Sequence, residues 1–270
     1  MQKLKVAIGS LGTIGFKVAG HIDSGEIPGL ALTAVSANNK ERAKDKLAAF
    51  ETPPPVVAAD ELASYADMVV ECAPAAIFRE IAEPTIAAGK TLMSLSVGAL
   101  LSHWDLVELA EKTGARILVP SGALLGLDAV RAAREGRFEK VTMVTRKPPA
   151  GLAGAPHLLD NNIDIDNLTE PKLVFEGTAR DGARGFPANV NVAAALSLAG
   201  PGPDNVQLQI WADPTIERNT HLIEVSADSA SFEMKMFSIP TEEKPATGRI
   251  VALSVIASLR AQVSSLVIGA

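Results

Sequence analysis

Cysteine is almost absent from this chain. Among its 270 residues only Cys72 is a cysteine, so the chain cannot form an internal disulfide bond. Its cysteine and histidine residues do not have the spacing of a zinc site, and we expect no bound metal. A single cysteine is typical of proteins that fold in a reducing compartment, which predicts a cytoplasmic location.

Positive charge is also scarce. The 25 Lys and Arg residues are outnumbered by 31 Asp and Glu residues, which gives a net charge of −6. The most apolar stretch, 250–270, is interrupted near its centre by Arg260 and Gln262, where a charge costs about 2.5–3.5 kcal/mol in a bilayer. The sequence therefore predicts no nucleic-acid partner and no membrane partner, and it favours a small molecule as the ligand.

The first 120 residues alternate short β-branched runs with longer amphipathic stretches. This alternation is typical of a parallel sheet that is covered by helices on both faces. We predict a doubly wound (Rossmann) α/β domain over 1–121. Its predicted strands are 4–8, 30–36, 68–71, 91–94 and 116–119, and its predicted helices lie near 13–24, 40–50, 75–88, 102–113 and 123–135.

The pattern changes after residue 138. Short alternating runs at 141–145, 172–175, 206–211, 221–226 and 231–237 predict a mostly antiparallel sheet. Gly/Pro-rich segments at 147–156 and 200–203 are interpreted as loops between these strands. We therefore expect a smaller α+β substrate domain over 122–245. A helical segment within 246–270 is expected to return to the first domain.

The segment VAIGSLGTIG at 6–15 joins the first predicted strand to the first predicted helix. A glycine-rich turn in this position lets the backbone approach a pyrophosphate, which free N–H groups at the helix start can bind. The candidate cofactor residues are Ser10, Gly12, Thr13, Ile14 and Gly15, with Ser10 in place of the usual first glycine. The alternative is an ordinary strand-to-helix turn.

The end of the second predicted strand bears on cofactor preference. An Asp or Glu here would bind the ribose 2′-OH of NAD, but the sequence has Ser36, Asn38, Asn39, Lys40 and Arg42 in this region. These side chains can donate to a 2′-phosphate, so we expect NADP to be used at least as well as NAD. The alternative is that the asparagines only cap the following helix.

Histidine is the commonest acid/base residue at neutral pH, and the chain has four. His21 and His103 are expected at surface or capping positions, and His157 in a solvated loop. His221 opens an apolar strand, and Asn219 would share its face if the strand already begins there. His221 with Asn219 is therefore the candidate catalytic pair, although a lone strand histidine can also be structural.

Four segments resemble the L-aspartate dehydrogenase family. They are VPSGALLGLDAV at 119–130, TRKPPAGL at 145–152, FEGTARDGARGFPANVNVAAALSLAG at 175–200 and ADPTIERNTHLIEV at 212–225. The resemblance implies an NAD(P)-dependent oxidative deamination of L-aspartate to iminoaspartate, reversible as a reductive amination. Iminoaspartate then hydrolyses to oxaloacetate and ammonia or feeds quinolinate and NAD biosynthesis. The resemblance also implies that His221 is catalytic and that Ala123 and Asn189 contact the cofactor.

Two carboxylates on the substrate require local positive charge in an acidic chain. The candidates are Arg146, Lys147 and Lys244, and each could instead be a solvated surface charge. A homodimer is expected for a cytoplasmic enzyme of this size. The competing functions are another imine or carbonyl reductase, of the dihydrodipicolinate reductase or homoserine dehydrogenase kind, and a non-catalytic NADP sensor.

Overall fold

The computed structural model describes residues 2–187, 189–243 and 247–269. The chain divides into two compact units. The first comprises the residues up to Pro120 together with Val251–Ile268, and the second comprises Ser121–Ile250.

The first unit is a six-stranded parallel sheet with the strand order β3-β2-β1-β4-β5-β6. Its elements in chain order are β1 Leu4–Gly9, α1 Thr13–Asp23, β2 Leu30–Ser36, α2 Lys40–Leu47, β3 Val56–Val57, β4 Met68–Glu71, α3 Phe78–Ala87, β5 Thr91–Ser94, α4 Val97–Ser102, α5 Asp105–Thr113 and β6 Arg116–Leu118. The strand order reverses between β1 and β4, so the predicted doubly wound sheet is confirmed.

The central strands read as continuous apolar runs because helices cover both faces of the sheet. Val6, Ala7 and Ile8 of β1 are all fully buried, as are Val69 and Val70 of β4. This apolar centre fixes the carboxyl ends of β1 and β4 side by side, where open α/β sheets bind ligands.

Several predicted element bounds are wrong in this unit. β3 was not predicted, because it has two residues and follows a run of prolines at 53–55. The helix predicted at 102–113 begins later, as α5 at Asp105, and the short helix α4 that precedes it was not predicted.

The second unit contains a five-stranded sheet with the order β11-β10-β7-β9-β8. Its elements are α6 Leu127–Arg134, β7 Phe138–Lys147, α7 Pro156–Asp160, β8 Lys172–Thr178, α8 Ala179–Gly185, α9 Asn191–Ala199, β9 Val206–Ala212, β10 Thr220–Ala227 and β11 Ser231–Phe237. Only β7 and β9 pair in parallel among these strands, so the sheet is mostly antiparallel as predicted.

Two predicted bounds are wrong in the second unit. The helix predicted at 123–135 begins at Leu127 instead, after Gly126 in the left-handed conformation with φ 66°. The segment 147–156 is not one loop, because it contains a 3₁₀ turn at Pro149–Gly151 and ends in the first residue of α7.

One face of the second sheet is buried. Alternate residues of β7, from Val141 through Thr145 to Lys147, lie on this face, and α8 and α9 pack over neighbouring β9. β10 pairs with β7 in a register that places His221 opposite Thr145. This register brings polar side chains from two strands together on an otherwise apolar face.

The last helix, α10, spans Arg249–Val263. Val255, Ile256 and Leu259 on this helix join the core of the first unit, which also contains Val6 and Ile8 of β1. Within the described residues, no helix combines the length and the hydropathy needed to cross a membrane.

Candidate active site

The glycine-rich turn follows β1 at the point where the strand order reverses. Ser10, in place of the first glycine, has φ 88°, in the left-handed region that glycine favours. Gly15 is required sterically, because a Cβ there would overlap the Ser10 carbonyl oxygen and lie 2.8 Å from Cys72 Sγ. The serine therefore keeps the tight turn, and Gly15 lets α1 begin directly against it.

Gly12, unlike Gly15, borders open space. A Cβ at Gly12 would meet nothing closer than Ser10 Oγ at 4.0 Å, so the space outside the turn is open. Gly12 is also the N-cap of α1 and supplies no side-chain cap, and Thr13 and Ile14 follow in the first turn. Uncapped N–H groups at a helix start facing open space fit a pyrophosphate.

The donors predicted after β2 have different roles. Asn39 Oδ1 accepts a hydrogen bond of 2.9 Å from Arg42 N and caps α2, which was the alternative interpretation of this residue. Ser36 is buried, and its Oγ lies 3.3 Å from Ser10 N, so Ser36 holds the glycine turn. Asn38 and Lys40 are exposed.

The second unit contains a buried polar cluster, here called the Lys147–His221 cluster, made of Thr145, Lys147, Asn189 and His221. His221 on β10 is only 3% exposed, and its Nδ1 lies 3.1 Å from Thr145 Oγ1 on β7. Lys147, two residues further along β7, is 6% exposed, and its Nζ donates a 2.7 Å hydrogen bond to Asn189 Oδ1.

Burial sets the charge states of this cluster, together with the effect of the Lys147 charge on His221. Burial, and to a smaller extent the positive charge of Lys147, lowers the pKa of His221 to about 3. Burial lowers the pKa of Lys147 to about 8. At neutral pH the imidazole is therefore neutral and available as a base.

Arg146 is separated from Lys147 although the two are adjacent in sequence. Successive side chains of a strand point to opposite faces, and Arg146 lies with its guanidinium carbon 4.7 Å from the Trp211 ring centroid. Its Nη1 also lies 3.2 Å from Asp213 Oδ2. The structure thus brings Lys147, but not Arg146, to His221.

The other predicted site residues are more scattered. β10 begins at Thr220, so Asn219 lies just outside the strand, and within the described residues no hydrogen bond joins its side chain to His221. Ala123 lies in a turn closed by a 3.0 Å hydrogen bond from Leu124 N to Ser121 O. Lys244 lies outside the described residues.

The remaining histidines do not belong to the cluster. The expectation that His157 lies in a solvated loop is wrong, because it lies in α7 with its ring 5.2 Å from Phe175 and 5.4 Å from Phe186. His21 pairs with Glu26 at 2.8 Å. In the described parts of the chain, no group of three His, Cys, Asp or Glu side chains could hold a metal ion.

Sequence reasoning did not identify two polar residues of this region. Thr145 lies inside a predicted strand, two residues before Lys147. Strand alternation would put the two side chains on the same face, and this spacing was a usable signal. Ser238 Oγ is buried and has no hydrogen-bond partner among the described residues. Ser238 follows β11, and its N–H bonds to the Asn219 carbonyl at 3.0 Å.

Two family models match successive parts of the chain. Residues 11–120 match the NAD-binding domain of homoserine dehydrogenase, and residues 128–262 match the C-terminal domain of aspartate dehydrogenase. The fold is that of aspartate dehydrogenase from Thermotoga maritima, with a TM-score of 0.71 at 22% identity over 99% of this chain and 100% of that one. A homoserine dehydrogenase from Thiobacillus denitrificans gives a TM-score of 0.62 at 14% identity, over 96% of this chain and 74% of that one.

An open glycine turn at the switch point of a parallel sheet, in a chain whose second domain buries a neutral histidine beside a lysine, defines a two-domain nicotinamide-dependent dehydrogenase. Curated sequences narrow this class. The chain is 55% identical to L-aspartate dehydrogenase of Bradyrhizobium diazoefficiens, over 99% of this chain and 95% of that protein. It is 37% identical to that of Methanosarcina mazei, over 98% and 99%. The chain belongs to the L-aspartate dehydrogenase family, which confirms the resemblance found in its sequence.

Proposed function

We propose that this protein catalyses the NAD(P)-dependent oxidative deamination of L-aspartate to iminoaspartate. Water then converts the imine to oxaloacetate and ammonia. Written in full, L-aspartate, oxidised cofactor and water give oxaloacetate, ammonium, reduced cofactor and one proton. The observation that carries the proposal is the Lys147–His221 cluster, because it places a base and a cation together on one buried face in a chain of this family.

His221 is proposed as the acid/base. Its pKa of about 3 keeps the imidazole neutral at the pH of the reaction. When Nδ1–H donates to Thr145 Oγ1, at 3.1 Å, Nε2 keeps a lone pair for a proton of the substrate amine or of the attacking water. Thr145 thereby fixes both the tautomer and the orientation of the ring.

Lys147 is proposed to bind the β-carboxylate of aspartate, the group that L-alanine lacks. Its ammonium group is buried, has lost most of its hydration and is bonded to Asn189 Oδ1 at 2.7 Å. Burial destabilises the charged form of Lys147. A carboxylate within a few ångströms of the ammonium stabilises that charged form and therefore raises the pKa of Lys147 again. The buried hydroxyl of Ser238, unpaired among the described residues, is a further donor available near β10.

The glycine turn is proposed to hold the diphosphate of the cofactor, through the N–H groups at Gly12, Thr13 and Ile14. A nicotinamide held there would supply the hydride acceptor for oxidation at Cα of the amino acid. Asn38 and Lys40 are exposed donors beyond β2, and no carboxylate follows that strand directly, so we propose that NADP is used at least as well as NAD. Ala123 and Asn189 are proposed as further cofactor contacts, as the resemblance implies, and Lys147 holds the Asn189 side chain.

The experiment is NAD(P)H formation with L-aspartate at alkaline pH, measured beside L-alanine, L-glutamate and homoserine. A site that binds a polar group rejects an analogue without it by about 10⁴-fold, whereas an added methylene costs only about 1–3 kcal/mol. We expect L-alanine to be inert and L-glutamate to be poor. Turnover of L-alanine within about tenfold of L-aspartate would contradict a site that binds both carboxylates, and preferential oxidation of homoserine would contradict the reaction itself.

A further inference from the structure

Glu71, the last residue of β4, is a fully buried carboxylate that the proposed chemistry does not use. Its two oxygens accept hydrogen bonds from Ser96 N at 3.0 Å, from Ser96 Oγ at 2.9 Å and from Ala73 N at 2.9 Å. Ser96 Oγ also lies 3.1 Å from the Ala73 carbonyl oxygen. One side chain thus joins the loop after β4 to the loop after β5.

The same loop is attached to the glycine turn. Cys72 N donates to Gly9 O at 3.1 Å, and Cys72 Sγ lies 3.3 Å from Gly9 O and 3.4 Å from Ser10 O. Contacts therefore run without interruption from the glycine turn through Cys72 to Glu71 and on to Ser96.

This arrangement is energetically demanding. Burial raises the pKa of Glu71, and the hydrogen bonds from Ser96 and Ala73 oppose that rise. An isolated buried carboxylate is strongly unfavourable, and it persists where several donors are aimed at it. Ser96 precedes α4, but its side chain does not cap that helix, because its hydroxyl is bonded to Glu71.

The position of these loops in the sheet indicates what they receive. The glycine turn after β1 and the residues after β2 are the proposed sites for the diphosphate and the adenosine ribose. A dinucleotide that crosses the switch point then extends over the carboxyl ends of β4 and β5, where the loops joined by Glu71 lie.

We propose that Glu71 is a positioning residue that fixes the loops after β4 and β5 in the arrangement that receives the nicotinamide end of the cofactor. It acts through Ala73 and Ser96 and touches no reacting atom. This inference rests on the cofactor orientation given under the proposed function, but not on the identity of the amino-acid substrate.

The test measures cofactor binding by the Glu71→Gln variant, with the fluorescence of bound NADH or NADPH as the signal. Glutamine keeps the shape of the side chain, but its amide NH₂ faces the Ser96 or Ala73 N–H groups, so at least one hydrogen bond is lost. We expect the Kd for the reduced cofactor to rise at least about tenfold, equivalent to about 1.4 kcal/mol. The Kd for ADP, which has only the adenosine half and the diphosphate, should be unchanged.

A matched control separates positioning from general stability. Thr85→Val removes a buried 2.6 Å hydrogen bond to Ile81 O inside α3, in the same unit but in neither loop. It should lower the thermal midpoint of unfolding and leave both Kd values unchanged. Equal weakening of ADP and reduced cofactor by Glu71→Gln, or the same loss in Thr85→Val, would overturn the proposal.

A second variant, which removes less of the hydrogen bonding, tests the same proposal if Glu71→Gln does not fold. Ser96→Ala removes the 2.9 Å contact to Glu71 and keeps the backbone N–H. It should weaken reduced-cofactor binding in the same direction with ADP unaffected, and unchanged binding of both ligands would contradict the positioning role. A parent protein that binds reduced cofactor but does not oxidise L-aspartate would refute the proposed reaction alone and leave this test intact.

Discussion

The buried ammonium of Lys147 makes a quantitative prediction about stability and pH. Burial lowers its pKa from 10.5 to about 8, and each unit corresponds to about 1.4 kcal/mol. Below pH 8 Lys147 is charged in both folded and unfolded protein, so the folded state carries the full cost of burying it. Between pH 8 and 10.5 the unfolded state binds more protons, and above 10.5 both states are neutral. The free energy of unfolding should therefore rise by about 3 kcal/mol across this interval.

Lys147→Met isolates this contribution. Methionine fills a similar volume without a charge, so the rise between pH 8 and 10.5 should be absent. Lys140→Met is the matched control, because Lys140 lies on the same strand but is exposed, and it should keep the rise. Cys72, whose thiol pKa is raised by burial, is present in all three proteins, so its contribution cancels in the differences.

The assay is urea denaturation at intervals of pH from 7 to 11, with the unfolding free energies of the three proteins subtracted pairwise. The unfolding free energy of the parent minus that of Lys147→Met should increase by about 3 kcal/mol in total as pH rises. Parallel curves for these two proteins would show that Lys147 is hydrated in the folded state, and the argument for a desolvated carboxylate-binding cation would fail.

Three further predictions concern the two candidate sites. Replacing the imidazole in His221→Ala should lower kcat by at least about 10²-fold with cofactor affinity intact; activity within a few-fold of the parent would contradict the acid/base role. Gly12→Ala should fold normally and bind cofactor more weakly, whereas Gly15→Ala should be strongly destabilised, as thermal unfolding with a cofactor titration would show. Asn38→Asp should shift the ratio of kcat/KM values toward NAD, and selectivity for NAD above about tenfold in the parent would refute our interpretation of this region.

Much of the first domain was predictable because its strands are buried on both faces and therefore form short continuous apolar runs. β1, β2, β4 and β5 were found at or within one residue of their observed bounds. β3 was missed because two valines give no periodicity. α4 was missed because its six residues, Val97–Ser102, are too few to show a helical hydrophobic period.

The candidate site was only partly predictable, for a different reason. His221 and Lys147 were identified separately, but their proximity depends on the register between β7 and β10, which tertiary packing sets. Arg146 was grouped with Lys147 because the predicted strand stopped at Thr145, before alternation could separate the two cations. The contact from Lys147 to Asn189 joins residues 42 apart in sequence, and no local pattern indicates it.

The electrostatics of the Lys147–His221 cluster connect its stability cost to its proposed specificity. Burial lowers the pKa of both groups, and the charge of Lys147 also lowers that of His221, so the cluster holds one desolvated cation and one neutral base. A substrate carboxylate beside Lys147 would reverse the first effect, since an opposite charge at short range restores the charged form. It would also reduce the repulsion that Lys147 exerts on His221, so that the imidazole could hold a proton during the reaction. An amino acid without the second carboxylate would leave both penalties in place, and the discrimination between aspartate and alanine follows from the same burial that destabilises the folded protein.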